Sequence, residues 1–230
     1  MRRRADIQRP LIGAGTTPDP VRDPRPSGTE GYANEADVLF QQYESIPFAD
    51  VHRYVMHLMP EPPGRLLDIG AGTGCDAAGF AELGYSVTAV EPTAELRTRA
   101  AELHPSPRIE WLDDSLPALS YVSTRGITFD IVMLTAVWMH LDEQQRQSAM
   151  PKVAALVRPG GVMMLSLRHG PVPAGRRMFE VTSDETTSLA KLNGMNCVHH
   201  LEDRDTRLRR PGVWWDRLVF IKQMDCGCAA

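Results

Sequence analysis

Asp68, Gly70, Gly72, Gly74 and Glu91 are the residues of this chain whose types and spacing point to chemistry. They lie in the stretch RLLDIGAGTGCDAAGFAELGYSVTAVE, from Arg65 to Glu91. A short apolar run ends in Asp68, small residues alternate with the glycines, an amphipathic segment follows, and a second apolar run ends in Glu91. The pattern predicts a strand, a tight turn, a helix and a second strand with an acid at its tip. Glycine has no Cβ, so the backbone there can turn sharply and approach a ligand closely. An acid at the tip of the next strand can accept both hydroxyls of a ribose. Together these features describe a unit built to hold a nucleoside.

The glycine spacing narrows the choice. A dinucleotide fingerprint reads GxGxxG, with the last glycine opening a helix under a pyrophosphate. Here the spacing is GxGxG, with Asp68 two residues before Gly70. Acid, glycines, helix and second acid in this order resemble motif I of the class I S-adenosylmethionine-dependent methyltransferases. The resemblance implies that Asp68 lies near the cationic amino group of the ligand, with Gly70, Ala71, Gly72 and Gly74 forming the loop and Glu91-Pro92 at the ribose. It places a polar residue after strand three at the adenine amino group, where Asp113, Asp114 and Ser115 are candidates. It sets Thr135, with Trp138 in the same segment, beside the transferred methyl at the end of strand four.

The elements that must position these residues follow from periodicity and breakers. Before Gly31 the chain is rich in Arg, Pro, Gly and Asp without an apolar period, so residues 1–31 are expected to be a flexible tail. Residues 32–223 form the expected domain and 224–230 a second tail. Helices are predicted over Asn34–Tyr43 and Phe48–Met59, and the resemblance implies a cap over the ligand here, which would bring Tyr43 and His52 near the site. A helix over 93–103 has Thr93 as its N-cap. Strand three is Arg108–Leu112 and strand four Phe129–Leu134. A helix spans Asp142–Val157, with Pro151 starting a second piece. Arg158-Pro159-Gly160-Gly161 turns into strand five, Val162–Leu167. A helix over Thr182–Asn193 and strands over Asn196–Leu201 and Trp214–Ile221 complete the chain. The resemblance implies an α/β Rossmann-like three-layer sandwich. Its seven-stranded sheet has the order 3-2-1-4-5-7-6, with strand seven antiparallel. Ligands in open α/β sheets bind beyond the carboxyl ends of the strands where the order switches, here between strands one and four.

That topology selects the residues facing a second substrate. Strand five ends at Arg168 and His169, and its loop carries Arg176 and Arg177. Strand seven starts near Arg207, Arg209, Arg210, Trp214 and Trp215. Guanidinium groups and indoles around one mouth point to an anionic or aromatic molecule, and a solvated loop with scattered arginines is the alternative. An amine acceptor must be neutral, and a hydroxyl acceptor gains from a general base. His140 and His169 are the candidates, both able to titrate near neutrality.

Composition excludes several classes. The 230 residues suit one domain with tails, and the net charge of −4 gives no reason to expect nucleic acid. No apolar run is long enough to cross a membrane. The MRRR start lacks a following apolar stretch, so no secretory signal is expected. Cys75, Cys197, Cys226 and Cys228 are too few and too irregular for a disulfide framework, which points to reduced thiols in the cytoplasm. No metal site is expected, since His199 and His200 would point to opposite faces of a strand. The chain is therefore expected to transfer a methyl group from S-adenosyl-L-methionine to an N or O atom of a small anionic or aromatic molecule, releasing S-adenosyl-L-homocysteine. It would act as a monomer or homodimer, with neither nucleic acid nor membrane as partner. A binding module that keeps the pocket without turnover is the alternative. A nicotinamide oxidoreductase is a third reading, which the GxGxG spacing opposes.

Overall fold

The computed structural model describes residues 26–204, 208 and 210–224. Residues 1–25, Arg207, Arg209, Cys226 and Cys228 lie outside the described residues. The sheet contains β1 (Arg65–Ile69), β2 (Ser86–Val90), β3 (Ile109–Leu112), β4 (Phe129–Leu134), β5 (Val157–His169), β6 (Met195–Asp203) and β7 (Trp214–Lys222). The order is β3-β2-β1-β4-β5-β7-β6, with β7 antiparallel to both neighbours and the other pairs parallel.

Seven helices flank the sheet among the described residues: α1 (Ala36–Tyr43), α2 (Phe48–His52), α3 (Cys75–Glu82), α4 (Ala94–Leu103), α5 (Ser120–Thr124), α6 (Glu143–Leu156) and α7 (Ser183–Leu192). Because both faces of the sheet are covered, the central strands β1 and β4 are buried except at Arg65 and Asp130, and period two sorts their side chains between layers. Leu66, Ile131 and Met133 face one way and pack with Ala77 and Phe80 of α3. Leu67, Ile69, Val132 and Leu134 face the other and pack with Met150 and Val153 of α6 and Ala190 of α7.

Several elements differ from expectation. The helix expected over Phe48–Met59 stops at His52, and a short 3-10 turn follows at Met56–Leu58. The apolar spacing persists because Val55 and Met59 still reach the core. Pro151 sits inside a single continuous α6 and does not divide it. Residues 159–161 lie within β5, where the register slips between Phe129 and Ile131 of β4 and Gly160 takes a φ of 69°. Thr93 precedes α4 without capping it, because its hydroxyl bonds to Glu91. Pro26–Gly31, inside the expected tail, pack on the domain: Pro26, Ser27, Gly28 and Thr29 line a cavity.

Helix α2 lies close against α3, and Gly79 makes that approach possible. A Cβ at Gly79 would collide with the Phe48 ring, too close to its Cγ and both Cδ atoms. The Phe48 and Phe80 rings meet edge to face at 4.9 Å. Alanine at position 79 would gain roughly 1 kcal/mol of helix propensity against about 1–3 kcal/mol for overpacking. Gly79→Ala should therefore lower the melting temperature by a few degrees; an unchanged or raised melting temperature would show that α2 does not pack there.

Candidate functional site

The carboxyl ends of β1, β2 and β4 open onto a cavity of about 280 Å³. The loop after β1 folds back onto the end of β2, where the Gly70 and Ala71 amides both donate to the Val90 carbonyl, at 2.8 and 2.9 Å. Each glycine has a separate reason to be there. A Cβ at Gly70 would strike Val137, and one at Gly74 would strike Trp111. Gly72 has a φ of 57° and open space where a Cβ would point. Its amide donates to Glu91 Oε2 at 2.9 Å, while the Thr93 amide donates to Oε1 at 2.7 Å. Burial raises the Glu91 pKa, and the Thr93 and Gly72 hydrogen bonds partly offset that rise.

Asp68 stands at the end of β1 on the cavity wall, 2 % exposed. Its Oδ2 is buried and has no hydrogen-bond partner among the described residues. Burial, then the neighbouring Asp76 and Glu91 carboxylates, hold its pKa well above the usual carboxylate range. Asp76, in the first turn of α3, also lines the cavity. Its pKa is lowered: burial pushes it up, but the charge of His52 and hydrogen bonds from His52 and Thr135 outweigh that. His52 Nε2 lies 2.8 Å from Asp76 Oδ1. Asp76 escaped the sequence reading. Its signal was an acid two residues past the last glycine, where a helix begins.

The opposite wall comes from the N-terminal segment. The Tyr32 ring lies under the Arg176 guanidinium, 3.9 Å from its centre. His140 Nδ1 is 2.7 Å from the Arg177 carbonyl oxygen and Nε2 is 2.9 Å from the Tyr32 hydroxyl. A carbonyl only accepts, so Nδ1 carries the proton and Nε2 accepts from Tyr32. Burial lowers the His140 pKa, which favours this neutral form. Ala136 takes a φ of 60°, which costs a non-glycine residue energy. The buried Ser166 hydroxyl accepts its amide at 2.9 Å and holds the turn. Tyr32 and Ser166 were not singled out from the sequence for these positions, whereas Trp215 was expected at the rim and lines the cavity.

Of the residues expected at the nucleoside, Asp68, Gly70, Ala71, Gly72, Glu91, Pro92, Asp114, Ser115 and Thr135 line the cavity. Gly74 and Asp113 do not. Gly74 backs onto Trp111, and Asp113 turns out to pair with Arg97 at 3.0 Å. Asp114 Oδ2 accepts the Tyr121 and Val122 amides, and Oδ1 accepts the Ser115 amide.

Of the residues expected at the mouth, Tyr43, His140 and Arg210 line the cavity. Trp138 is fully buried in the core, and its neighbours Val137 and His140 reach the cavity instead. Trp214 stacks on His169 at 3.8 Å, and Trp215, on the other face of β7, lines the cavity. His169 lies off the cavity with Nε2 3.1 Å from Asp216. Arg176 bonds to Glu35 and the Glu30 carbonyl; Arg177 bonds to Asp142 and Gln145. Both clasp the wall and neither enters it. Arg168 is partly buried, and its Nε and Nη1 have no partner among the described residues. Arg209 is outside the described residues. Among the described residues there is no cluster suited to a metal ion and no helix long and apolar enough to cross a membrane.

Comparison with known proteins agrees with this geometry. A family model described as a methyltransferase domain matches residues 66–161. Glycine N-methyltransferase of Rattus norvegicus is 28% identical over 182 residues, covering 66% of this chain and 59% of the relative. The chain thus spans less than two thirds of that enzyme's length. A ubiquinone biosynthesis O-methyltransferase of Bradyrhizobium is 32% identical over 102 residues, 44% of this chain and 39% of the relative. Among solved structures, the 1,6-didemethyltoxoflavin-N1-methyltransferase of Burkholderia thailandensis superposes with a TM-score of 0.62 at 22% identity, covering 84% of each chain. Magnesium protoporphyrin IX methyltransferase of Synechocystis gives 0.60 at 15% identity, covering 92% of this chain and 87% of the other. Those two structures share the fold. With its acid-glycine-acid motif in the order of the class I S-adenosylmethionine-dependent methyltransferases, its sheet in that fold's strand order and a methyltransferase-domain model matching residues 66–161, the chain resembles that family in its core and shares its fold.

Proposed function

We propose that the chain binds S-adenosylmethionine in this cavity and transfers its methyl group to an N or O atom of a small anionic or aromatic molecule. The observation that carries the cofactor reading is the buried, unpartnered Asp68 oxygen across the glycine loop from Glu91. A buried polar atom without a partner is costly unless a ligand supplies one. An ammonium group would do so. Each Glu91 oxygen accepts one backbone amide and keeps a lone pair for a ribose hydroxyl. When bound, the cofactor supplies a methyl on a positive sulfur, and the transfer is an in-line displacement at carbon. The chain's part is to align the groups and exclude water.

Arg168 and Arg210 support an anionic acceptor. Arg210 lines the cavity; Arg168 stands behind the lining, its pKa lowered by burial and by the Arg210 charge, with two nitrogens unpartnered among the described residues. The rat relative's name states that it methylates glycine, a small carboxylate-bearing amine, in line with this reading. Both His140 nitrogens are engaged and His169 is off the cavity, so neither imidazole stands ready as a base. This supports an acceptor that arrives as a neutral amine or an already ionised hydroxyl.

Calorimetry should show saturable binding of S-adenosylhomocysteine and none of NADH. Glu91→Ala should weaken that binding by ~1–3 kcal/mol; parent-like affinity in the folded variant would place the ligand elsewhere. Asp68 must be ionised to hold a cation, and its raised pKa means that it protonates on acidification earlier than an ordinary carboxyl. Affinity should therefore fall as pH drops into that raised range, with proton release on binding. Asp68→Asn should bind more weakly at high pH and lose the pH dependence; an identical profile would remove Asp68 from the site. For the acceptor, Arg168→Ala should raise KM by about tenfold or more and leave cofactor affinity unchanged. A variant that alters cofactor affinity alone would refute that placement.

A further inference from the structure

We propose that His52 is a positioning residue that ties helix α2 to Asp76 on the cavity floor and so couples seating of the N-terminal cap to occupation of the Asp68–Asp76 carboxylate pair. This rests on the cofactor reading above. His52 is 1 % exposed and packs against both the Phe48 and Phe80 rings, at 5.1 and 6.0 Å. Its Nε2 is 2.8 Å from Asp76 Oδ1, and the Thr135 hydroxyl bonds to the same carboxylate. Asp76 thus faces both ways, towards the cap through His52 and towards the cavity beside the unpartnered Asp68 oxygen. Helix α2 and its lead-in supply Ile46 and Val51 to the cavity wall, so the element fastened by His52 is also part of the enclosure.

The charges around His52 sharpen the coupling. Asp76 faces it from α3, with Asp68 of β1 behind. Arg217 of β7 borders the same small void as His52, and its Nε is bonded to Asp203. An ammonium held by Asp68 and Asp76 relieves the repulsion between those acids. It keeps Asp76 ionised, as the donor on His52 requires. By linkage, a cap held by His52 must favour the cation in return.

The test is hydrogen exchange across residues 48–58, with and without S-adenosylhomocysteine, alongside calorimetric affinity. In the parent, the ligand should slow exchange in that segment. His52→Leu removes the imidazole that meets Asp76; it should lose the ligand-dependent slowing and bind about tenfold more weakly, as expected when a buried carboxylate loses its charged partner. His52→Gln keeps an N–H donor and should retain most of both effects. If His52→Leu does not fold, Asp76→Asn cuts the same link from the other side and should give the same loss. Ligand-dependent slowing and affinity equal to the parent in a folded His52→Leu or Asp76→Asn variant would overturn the coupling. Failure of the parent to bind S-adenosylhomocysteine would instead overturn the cofactor reading on which the coupling rests.

Discussion

The Glu91 carboxylate is the joint on which the site depends. It is 5 % exposed and carries an amide on each oxygen, one from the loop after β1 and one from the start of α4. A buried carboxylate costs several kcal/mol to desolvate, a cost offset only when its lone pairs are met. Here the donors come from the two loops that must lie side by side if a ligand is to bridge β1 and β2. The Arg97 guanidinium bonds to the Glu91 carbonyl at 2.6 Å, fixing the residue from the other end. Any arrangement that opened the glycine loop would strand this acid, so the fold and the ligand-binding shape are held by the same hydrogen bonds.

The distribution of charge in the cavity follows from that joint. Gly72 spends its amide on a carboxylate of the protein itself, in a loop of the kind that elsewhere turns its amides toward phosphate. Asp68, Asp76 and Glu91 all border the cavity. A pyrophosphate placed there would meet three acids at short range, whereas a ligand with a positive sulfur and an ammonium would meet its complement. Electrostatics thus reinforces what the glycine spacing suggested about the nicotinamide alternative. The raised Asp68 pKa and lowered Asp76 pKa express the same crowding: the pair divides its protonation, and the member touching His52 keeps the charge.

The legible part of the fold was the part that periodicity and breakers determine. Strands β1 to β4 were apparent because each is a short apolar run stopped by polar or glycine residues. The segment after α2 misled because its apolar spacing continued while the backbone turned. Pro26–Gly31 misled because composition registers the absence of a core-forming face but not the few contacts that fold a segment back; at Gly28, a Cβ would lie 3.2 Å from that of His140. Within the site, the strand ends were legible and the phase was not. Trp138 was expected where Val137 reaches the cavity; of the alternatives Asp113 and Asp114 only Asp114 lines it, and of the rim pair Trp214 and Trp215 only Trp215 does. In β7 neighbouring residues point to opposite sides, so one position decides which indole meets the site; Trp138 instead opens a 3-10 turn that buries its ring in the core.

The arginines show why charge alone could not sort the mouth. Arg176 and Arg177 each find carboxylate and carbonyl partners on the segments they join, and each lies over an aromatic ring. They close the wall. Arg168 lies near Tyr32, Tyr43 and Arg210, with two nitrogens unpartnered among the described residues. Pairing therefore separates the two guanidinium groups that close the wall from one behind the lining whose nitrogens are not all met. The cavity thus has acids beneath the glycine loop and Arg210 in its lining, and under the proposed function the arginine would mark the acceptor's end. A cofactor with its positive sulfur drawn to the acids and an acceptor with its anionic group drawn to the arginine would be ordered along one axis before any atom moves. Alignment of that kind is the main thing a methyl displacement asks of a protein.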